Sequence, residues 1–174
     1  ARIAGHVAPK FKKMSLELGG KNPAIVFADA DFDEALKTTL RSSFANQGQI
    51  CLCGSRILVE RTIYDKFRDA LVAKASKMVA DLPLKPTTKM GAVVSEAHME
   101  KILGHVVLAQ QEGGTVLCGG HRVYPEGGEA GFYVAPTVIE GLGPECRTNQ
   151  EEIFGPVVTL QPFDSEEEAL ALAN

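Results

Sequence analysis

The sequence predicts an α/β domain with a largely parallel sheet covered by helices. Short apolar runs that suit buried strands alternate with longer segments whose apolar residues recur at helical spacing, and this order is typical of strand–helix–strand units. The 174 residues are 45% apolar and 23% charged, which is the composition of a globular domain with one substantial core. We therefore expect a single α/β domain.

The first half of the chain predicts two strands, each followed by a helix. The strands are the apolar runs at 22–28 and 57–59, which are short and bounded by turn residues. Asp31 begins the first helix with the spacing of a capping box, and this helix is expected to end near Asn46. Thr62 is the expected N-cap of the second helix, which two prolines more than twenty residues later would end.

The second half predicts one long helix, three strands and a final helix. Ser95 is the expected N-cap of the long helix, and the Gly-Gly pair at 113–114 is its expected end. Residues 119–131 are rich in glycine and predict a surface loop or hairpin. Ser165 begins a helix that is unfinished at the last residue, so we expect a piece of a longer polypeptide. The strands are expected at 115–117, 133–139 and 153–163.

Charge and cysteine content exclude several classes of protein. A net charge of -4 and a pI near 5.6 argue against a nucleic-acid-binding surface, which would be basic. No apolar run approaches the roughly 20 residues that a membrane-spanning helix needs, so we expect a cytoplasmic protein without a membrane partner. Four cysteines are too few for a disulfide scaffold and lack metal-ligand spacing, so thiols and no metal site are expected.

Cys51 is the first candidate for catalytic chemistry. It follows the expected first helix on a turn that contains Gly48, and a thiol presented there can attack a carbonyl carbon. For a lone cysteine the alternative of a packed core thiol carries more weight, because free cysteine is among the most buried residue types. Cys53 gives a Cys-x-Cys spacing without a second pair of ligands, so it is expected only to pack beside the site.

Glu17 is the second candidate. It precedes a Gly-Gly pair, so its carboxylate is expected to project from a strand end into a cleft that the glycines leave open. There it could act as a general base on a thiol or a water, although a glutamate by itself is more often a solvated surface residue. The combination of Glu17 with Cys51, 34 positions later, favours the catalytic interpretation of both.

Three strings in this chain resemble the signature motifs of the NAD(P)-dependent aldehyde dehydrogenase superfamily. They occur in the family's order, and the expected strands and helices match the family's catalytic domain over essentially the whole chain. The resemblance implies oxidation of a small-molecule aldehyde with NAD, NADP not being excluded. The strings are Glu17-Leu18-Gly19-Gly20-Lys21, Phe44-x-Asn46-x-Gly48-Gln49-x-Cys51 and Glu151-Glu152-Ile153-Phe154-Gly155-Pro156.

The resemblance implies a catalytic role for two residues. Cys51 matches the nucleophile that adds to the aldehyde as a thiohemiacetal, from which hydride transfer to the nicotinamide leaves a thioester. Glu17 matches the base that activates water to hydrolyse that thioester. The backbone N–H of Cys51 matches one donor to the oxyanion. Ile50 and Leu52, on either side of the nucleophile, would line the substrate tunnel.

The resemblance also implies contacts with the cofactor. Glu152 matches the residue that binds the nicotinamide ribose, and Phe154 matches a ring packed near the nicotinamide, although an aromatic in an apolar strand needs no such role. His98 aligns approximately with a cofactor contact, but a histidine on a helix surface is more often inert. Leu18 and Gly19 would offer backbone contacts near the nicotinamide.

Part of the family pattern has no counterpart in this sequence. The glycine-rich loop that holds the dinucleotide should precede Glu17, and no GxGxxG string occurs. We expect residues 1–174 to be the catalytic domain without most of the dinucleotide-binding domain, inactive alone, from a parent enzyme that is a homo-oligomer. The run Cys51–Arg56 resembles the branch that oxidises muconic semialdehydes, while other aldehydes remain open. A binding or structural domain that keeps the fold without catalysis is the competing hypothesis.

Overall fold

The computed structural model describes residues 2–174 and confirms the predicted α/β class. The helices are α1 Arg2–Val7, α2 Phe32–Phe44, α3 Arg61–Ala75, α4 Glu96–Gln111, α5 Arg147–Gln150 and α6 Glu166–Ala173, with short 3-10 turns at Ala8–Lys10 and Ala45–Gly48. The strands are β1 Asn22–Val26, β2 Gly54–Glu60, β3 Thr115–Cys118, β4 Arg122–Val123, β5 Tyr133–Val134, β6 Thr137–Glu140 and β7 Val157–Phe163.

The main sheet has five strands in the order β1-β2-β7-β6-β3. Four neighbouring strands are parallel, and only β3 at the edge runs antiparallel, against β6. The central strands β2 and β7 are buried at successive residues, 57–59 and 157–161, because helices cover both of their faces. The short strands β4 and β5 form a separate hairpin, which confirms the hairpin expected around 119–131.

Alternate residues of the central strands point to two apolar layers. Ile57 and Val59 pack with α2 and α3 on one face of the sheet. Leu58 and Phe163 pack with α6 on the other face, and Val157 lies on that same face in the cluster formed with α4. Helices therefore cover both faces, as the sequence predicts.

Three helix starts are confirmed at their predicted caps. The side chains of Asp31, Ser95 and Ser165 accept hydrogen bonds from the backbone N–H three residues later, at 3.0, 3.2 and 3.2 Å. Such caps are local interactions between near neighbours in the chain, which is why the sequence reveals them.

Two predicted bounds of α3 are wrong. Thr62 lies inside α3, and the N-cap is Glu60, whose side chain makes no capping bond. The Glu60 carboxylate instead accepts a hydrogen bond from the N–H of Ala28 at 2.8 Å. Glu60 is also the last residue of β2, so the strand leads directly into α3. The C-terminal end lies at Ala75, well before the prolines, where the Ser76 hydroxyl donates to the carbonyl oxygen of Val72 at 2.7 Å.

Three other bounds differ because of single backbone features. Helix α2 stops at Phe44, since Asn46 takes a left-handed conformation. The strand expected at 133–139 is split in two at Pro136, which has no N–H for a ladder. The strand expected at 153–163 begins only at Val157, because Phe154 has a φ of 60°. Within residues 2–174, no helix combines the length and apolar character that crossing a membrane requires.

Phe67 is one of the largest fully buried side chains of this core. It is fully buried and packs edge-to-face on Phe32, with ring centroids 5.7 Å apart. Phe67→Ala is expected to lower the free energy of unfolding by about 3–5 kcal/mol, as measured by urea denaturation. Leu84→Ala is the control, because Leu84 is 95% exposed and its loss should change stability little. Equal effects of the two substitutions would contradict the assigned core.

Candidate functional site

The three motif strings converge because of the sheet topology. Each string lies immediately before one of the strands β1, β2 and β7, and these strands are parallel neighbours in that order. The amino ends of parallel neighbours meet at one edge of a sheet. The structure therefore brings together at this edge residues up to 132 positions apart in the sequence, such as Gly20 and Glu152.

Cys51 lies on an exposed turn between α2 and β2, where the sequence predicts it. The side-chain amide of Asn22 donates to the carbonyl oxygens of Cys51, at 2.7 Å, and Cys53, at 3.3 Å. This contact ties the turn to the start of β1. The exposure of Cys51 rules out the packed core thiol that the sequence left open.

The backbone before Cys51 is left-handed at three successive residues. Asn46, Gln47 and Gly48 have φ values of 49°, 57° and 70°. For the two residues with side chains this conformation costs about 1 kcal/mol or more each. Such strain persists only where surrounding contacts hold it.

Two glutamine side chains hold this left-handed turn against the segment that precedes α4. The Gln47 amide nitrogen donates to the carbonyl oxygen of Ala92 at 2.9 Å, and the Gln49 amide oxygen accepts from the N–H of Val94 at 3.0 Å. The N–H of Val93, between these two contacts, donates to the carbonyl oxygen of Phe132 at 2.8 Å. The glutamines thus tie the turn to a segment about 45 residues further along the chain.

Cys53 differs from Cys51 in its burial. It is buried, and its thiol lies 3.0 Å from the carbonyl oxygens of both Ser42 and Ser43. Burial raises the pKa of the Cys53 thiol to about 11, so it stays protonated at neutral pH and is a poor nucleophile. Cys53 forms no disulfide and packs beside the site as expected.

Glu17 does not project from a strand end, so that prediction is wrong. It lies in an irregular, exposed segment and precedes β1 by five residues. This segment has no neighbouring strand to pair with. Among residues 2–174, no hydrogen bond or salt bridge holds the Glu17 carboxylate, which lines a groove against α1 rather than the turn that carries Cys51.

The Gly19–Gly20 pair is close to the third string rather than open. Glu152 accepts a hydrogen bond from the N–H of Gly20 at 3.0 Å. Its carboxylate fills the space that a Cβ at Gly19 would need. The cleft expected at these glycines therefore contains the Glu152 carboxylate. Leu18, which precedes them, is 70% exposed.

Phe154 and His98 are in direct contact. The ring nitrogen Nε2 of His98 lies 2.7 Å from the carbonyl oxygen of Phe154, so it must carry the hydrogen that is donated. The two rings meet edge-to-face, with centroids 6.1 Å apart. Lys101, one turn further along α4, donates to the carbonyl oxygen of Glu152 at 3.0 Å. Helix α4 thus fixes the turn at 152–154 from one side.

The Lys21 ammonium is buried beneath these strings. The nitrogen has no hydrogen-bond partner among residues 2–174. Burial and, to a smaller extent, the Arg56 guanidinium lower the pKa of Lys21 to about 8, although the Glu152 carboxylate opposes both effects. Lys21 therefore places a positive charge that can be lost near neutral pH close to Glu152. No group of three potential metal ligands occurs within the described residues.

Sequence patterns did not predict which side chains hold the Cys51 turn. Asn22, Gln47 and Gln49 do so through side-chain amides, and of these only Gln49 belongs to a motif string, since amides are common in solvated loops. The one usable signal was their position next to Cys51 and the start of β1. Their partners at 92–94 lie about 45 residues away, which no local pattern indicates.

The chain is similar to known proteins along its whole length. Residues 1–174 match the sequence model of the Aldehyde dehydrogenase family. The chain is 49% identical to 2-aminomuconic semialdehyde dehydrogenase of Mus musculus and 47% identical to that of Homo sapiens, over 99% of this chain and 36% of each relative. It therefore spans about a third of the length of the curated relatives it matches.

The fold is similar to that of a solved structure as well. Betaine aldehyde dehydrogenase of Staphylococcus aureus, in complex with NAD+, is 41% identical, with a TM-score of 0.93 over 99% of this chain and 34% of that chain. Sequence and structure thus agree over the full stretch. The chain belongs to the aldehyde dehydrogenase family.

Proposed function

We propose that this chain carries the nucleophile of an enzyme that oxidises an aldehyde to a carboxylic acid with NAD(P). The observation that carries the proposal is the exposed thiol of Cys51 on a strained turn, held by Asn22 and Gln49. Backbone strain of this kind is concentrated at functional sites. Membership of the family and the names of the relatives support the reaction class.

The first chemical step belongs to Cys51. Its thiolate attacks the carbonyl carbon of the aldehyde and forms a thiohemiacetal, and the carbonyl oxygen becomes an oxyanion. The N–H of Cys51 donates to no backbone acceptor within residues 2–174, so it is available to that oxyanion. The Asn22 contact with the carbonyl oxygen of Cys51 fixes this peptide at the site.

The residues around Glu152 fit a nicotinamide ribose. The carboxylate uses Oε1 for Gly20 and keeps Oε2 as an acceptor for a sugar hydroxyl. Gly19 has no side chain, so the Glu152 carboxylate lies close against this segment, and a ribose bound to that carboxylate would lie beside the backbone of Leu18 and Gly19. Phe154 offers an aromatic ring, which His98 positions. The bound dinucleotide would supply the acceptor for the hydride that leaves the substrate carbon.

Glu17 completes the reaction by activating water. It takes a proton from the water that attacks the thioester carbon, and the Cys51 thiolate leaves as the carboxylic acid is released. The carboxylate has no partner among the described residues that would have to be displaced. Because it lines the groove against α1, its segment has to turn towards Cys51 for this step.

We further propose a semialdehyde substrate and a divided cofactor site. The two relatives from Mus musculus and Homo sapiens are named for a muconic semialdehyde, which supports the substrate class. Residues 1–174 would form the catalytic domain, with most of the dinucleotide-binding domain supplied by other residues. The relatives are about three times as long, and this sequence has no glycine-rich dinucleotide loop.

Selective alkylation tests whether Cys51 is an activated nucleophile. Iodoacetamide at neutral pH is expected to label Cys51 at least about ten times faster than Cys53, Cys118 or Cys146, as followed by mass spectrometry, because a thiolate is the reactive form. An aldehyde added first should protect Cys51 alone. The urea-unfolded chain is the control, in which all four should react alike. Equal labelling in the folded chain would favour the non-catalytic alternative.

Two substitutions in the full-length enzyme separate the chemical steps. Cys51→Ser is expected to abolish NADH formation, whereas Glu17→Gln should keep a first burst of NADH and lower the steady rate by about 100- to 10,000-fold, since only hydrolysis needs the base. Stopped-flow absorbance measures both phases. Cys118→Ser and Glu126→Gln are the matched controls. A full rate with Cys51→Ser would refute the mechanism. Loss of the burst with Glu17→Gln would show that Glu17 is needed before or during hydride transfer rather than only for hydrolysis.

The 174 residues by themselves are expected to form no NADH. Purified chain mixed with NAD+ and succinic semialdehyde should show no rise in the absorbance of NADH, while Cys51 still reacts with iodoacetamide. Turnover by this chain alone would show that it holds a complete cofactor site.

A further inference from the structure

A groove lies between the C-terminal half of α2 and the turn that carries Cys51. One wall comes from the end of α2 and the residue after it, and the other comes from the turn that carries the nucleophile. Its volume is about 400 Å³, which lies within the range of small-molecule sites. The lining residues are Thr38, Arg41, Ser42, Ala45, Ile50, Leu52 and Cys53.

The position of the groove ties it to the reacting thiol. Ile50 and Leu52, the chain neighbours of Cys51, both form its wall. Leu52 is 83% exposed and Ile50 37% exposed, so both offer uncovered apolar surface. A substrate with its carbonyl carbon at the Cys51 sulfur can therefore extend its carbon chain along these two side chains.

Arg41 is the charged residue of this groove. It makes no salt bridge among residues 2–174, and no side-chain hydrogen bond holds its guanidinium. Lys37, one turn earlier on α2, is already paired with Glu34 at 3.0 Å. Five of the seven arginines are held by carboxylates or backbone carbonyls: Arg56, Arg61, Arg68, Arg122 and Arg147.

The position of Arg41 in the last turn of α2 explains only part of this arrangement. A cation there interacts favourably with the carbonyl end of the helix. That interaction requires a positive charge near the terminus but not one that lines a groove next to a nucleophile. Residues 1–174 carry a net charge of -4, which does not favour anions at long range, so a local cation would help to bind an anionic substrate here.

We propose that Arg41 binds a carboxylate at the far end of the aldehyde substrate and so selects semialdehydes over uncharged aldehydes. This assignment rests on the proposed function. A guanidinium presents a planar fork of donors that matches a carboxylate. The hydroxyls of Thr38 and Ser42 line the same wall and add polar partners near it. The apolar side chains of Ile50 and Leu52 would contact the carbon chain between the aldehyde group and the carboxylate.

Three aldehydes of different charge test the assignment in the full-length enzyme. Succinic semialdehyde is the anion, butanal is its neutral four-carbon counterpart, and betaine aldehyde is a cation. Arg41→Met is expected to lower kcat/KM for succinic semialdehyde by about 10- to 100-fold, mainly through KM, and to leave butanal within about twofold. Arg41→Lys should restore part of the loss, and Arg41→Glu should shift preference towards betaine aldehyde.

Lys37→Met is the matched control, because it removes a cation from the same helix outside the groove. It should change none of the three kcat/KM values by more than about twofold. An equal loss for succinic semialdehyde and butanal with Arg41→Met, or no loss for either, would overturn the role of Arg41 while the enzyme still oxidises butanal through Cys51. If the unsubstituted enzyme oxidises no aldehyde, the proposed function fails, and the assignment fails with it.

Discussion

The left-handed turn at residues 46–48 is the constraint on which the candidate site depends. Gly48 lies so close to Gly155 that a Cβ at Gly48 would overlap the carbonyl oxygen of Gly155, and a Cβ at Gly155 would overlap the side chain of Ile102 on α4. The nucleophile turn, the turn before β7 and helix α4 are therefore stacked through two glycines. Only this close approach lets Gln47 reach the segment before α4 and hold the strained backbone in place.

Burial gives the two neighbouring cysteines different roles. The Lys21 ammonium and the Cys53 thiol are both withdrawn from water, and burial favours the uncharged form of each. Cys51, two residues before Cys53, stays at the surface. A substrate therefore meets one accessible thiol, while the interior beside it stays closed to side reactions.

The sequence predicts the parts of this structure that depend on near neighbours in the chain. The caps at Asp31, Ser95 and Ser165 were found because each involves residues three apart. The N-cap at Thr62 was wrong because β2 continues to Glu60, whose carboxylate binds the N–H of Ala28 in the turn after β1, a contact that no local pattern indicates.

In the candidate site, too, features that depend on near neighbours in the chain were predicted, and those that depend on distant contacts were not. The turn that carries Cys51 was predicted from its glycine and the strand that follows, whereas the position of Glu17 was not, since its segment pairs with no strand. Arg41 could be placed on the polar side of a helix from its spacing. Its place beside Cys51 depends on the path of the chain through the left-handed turn, which the sequence does not show.

Because the three strings converge at the amino ends of β1, β2 and β7, the two ends of these strands are under different evolutionary constraints. Segments that leave the carboxyl ends of these strands, such as 27–31 after β1 and 164–165 after β7, lie at the opposite edge of the sheet. They can change in length or composition while the reacting groups keep their positions. Divergence within such a lineage should therefore accumulate at one rim of the sheet, and the other rim should retain its side chains even where substrates differ.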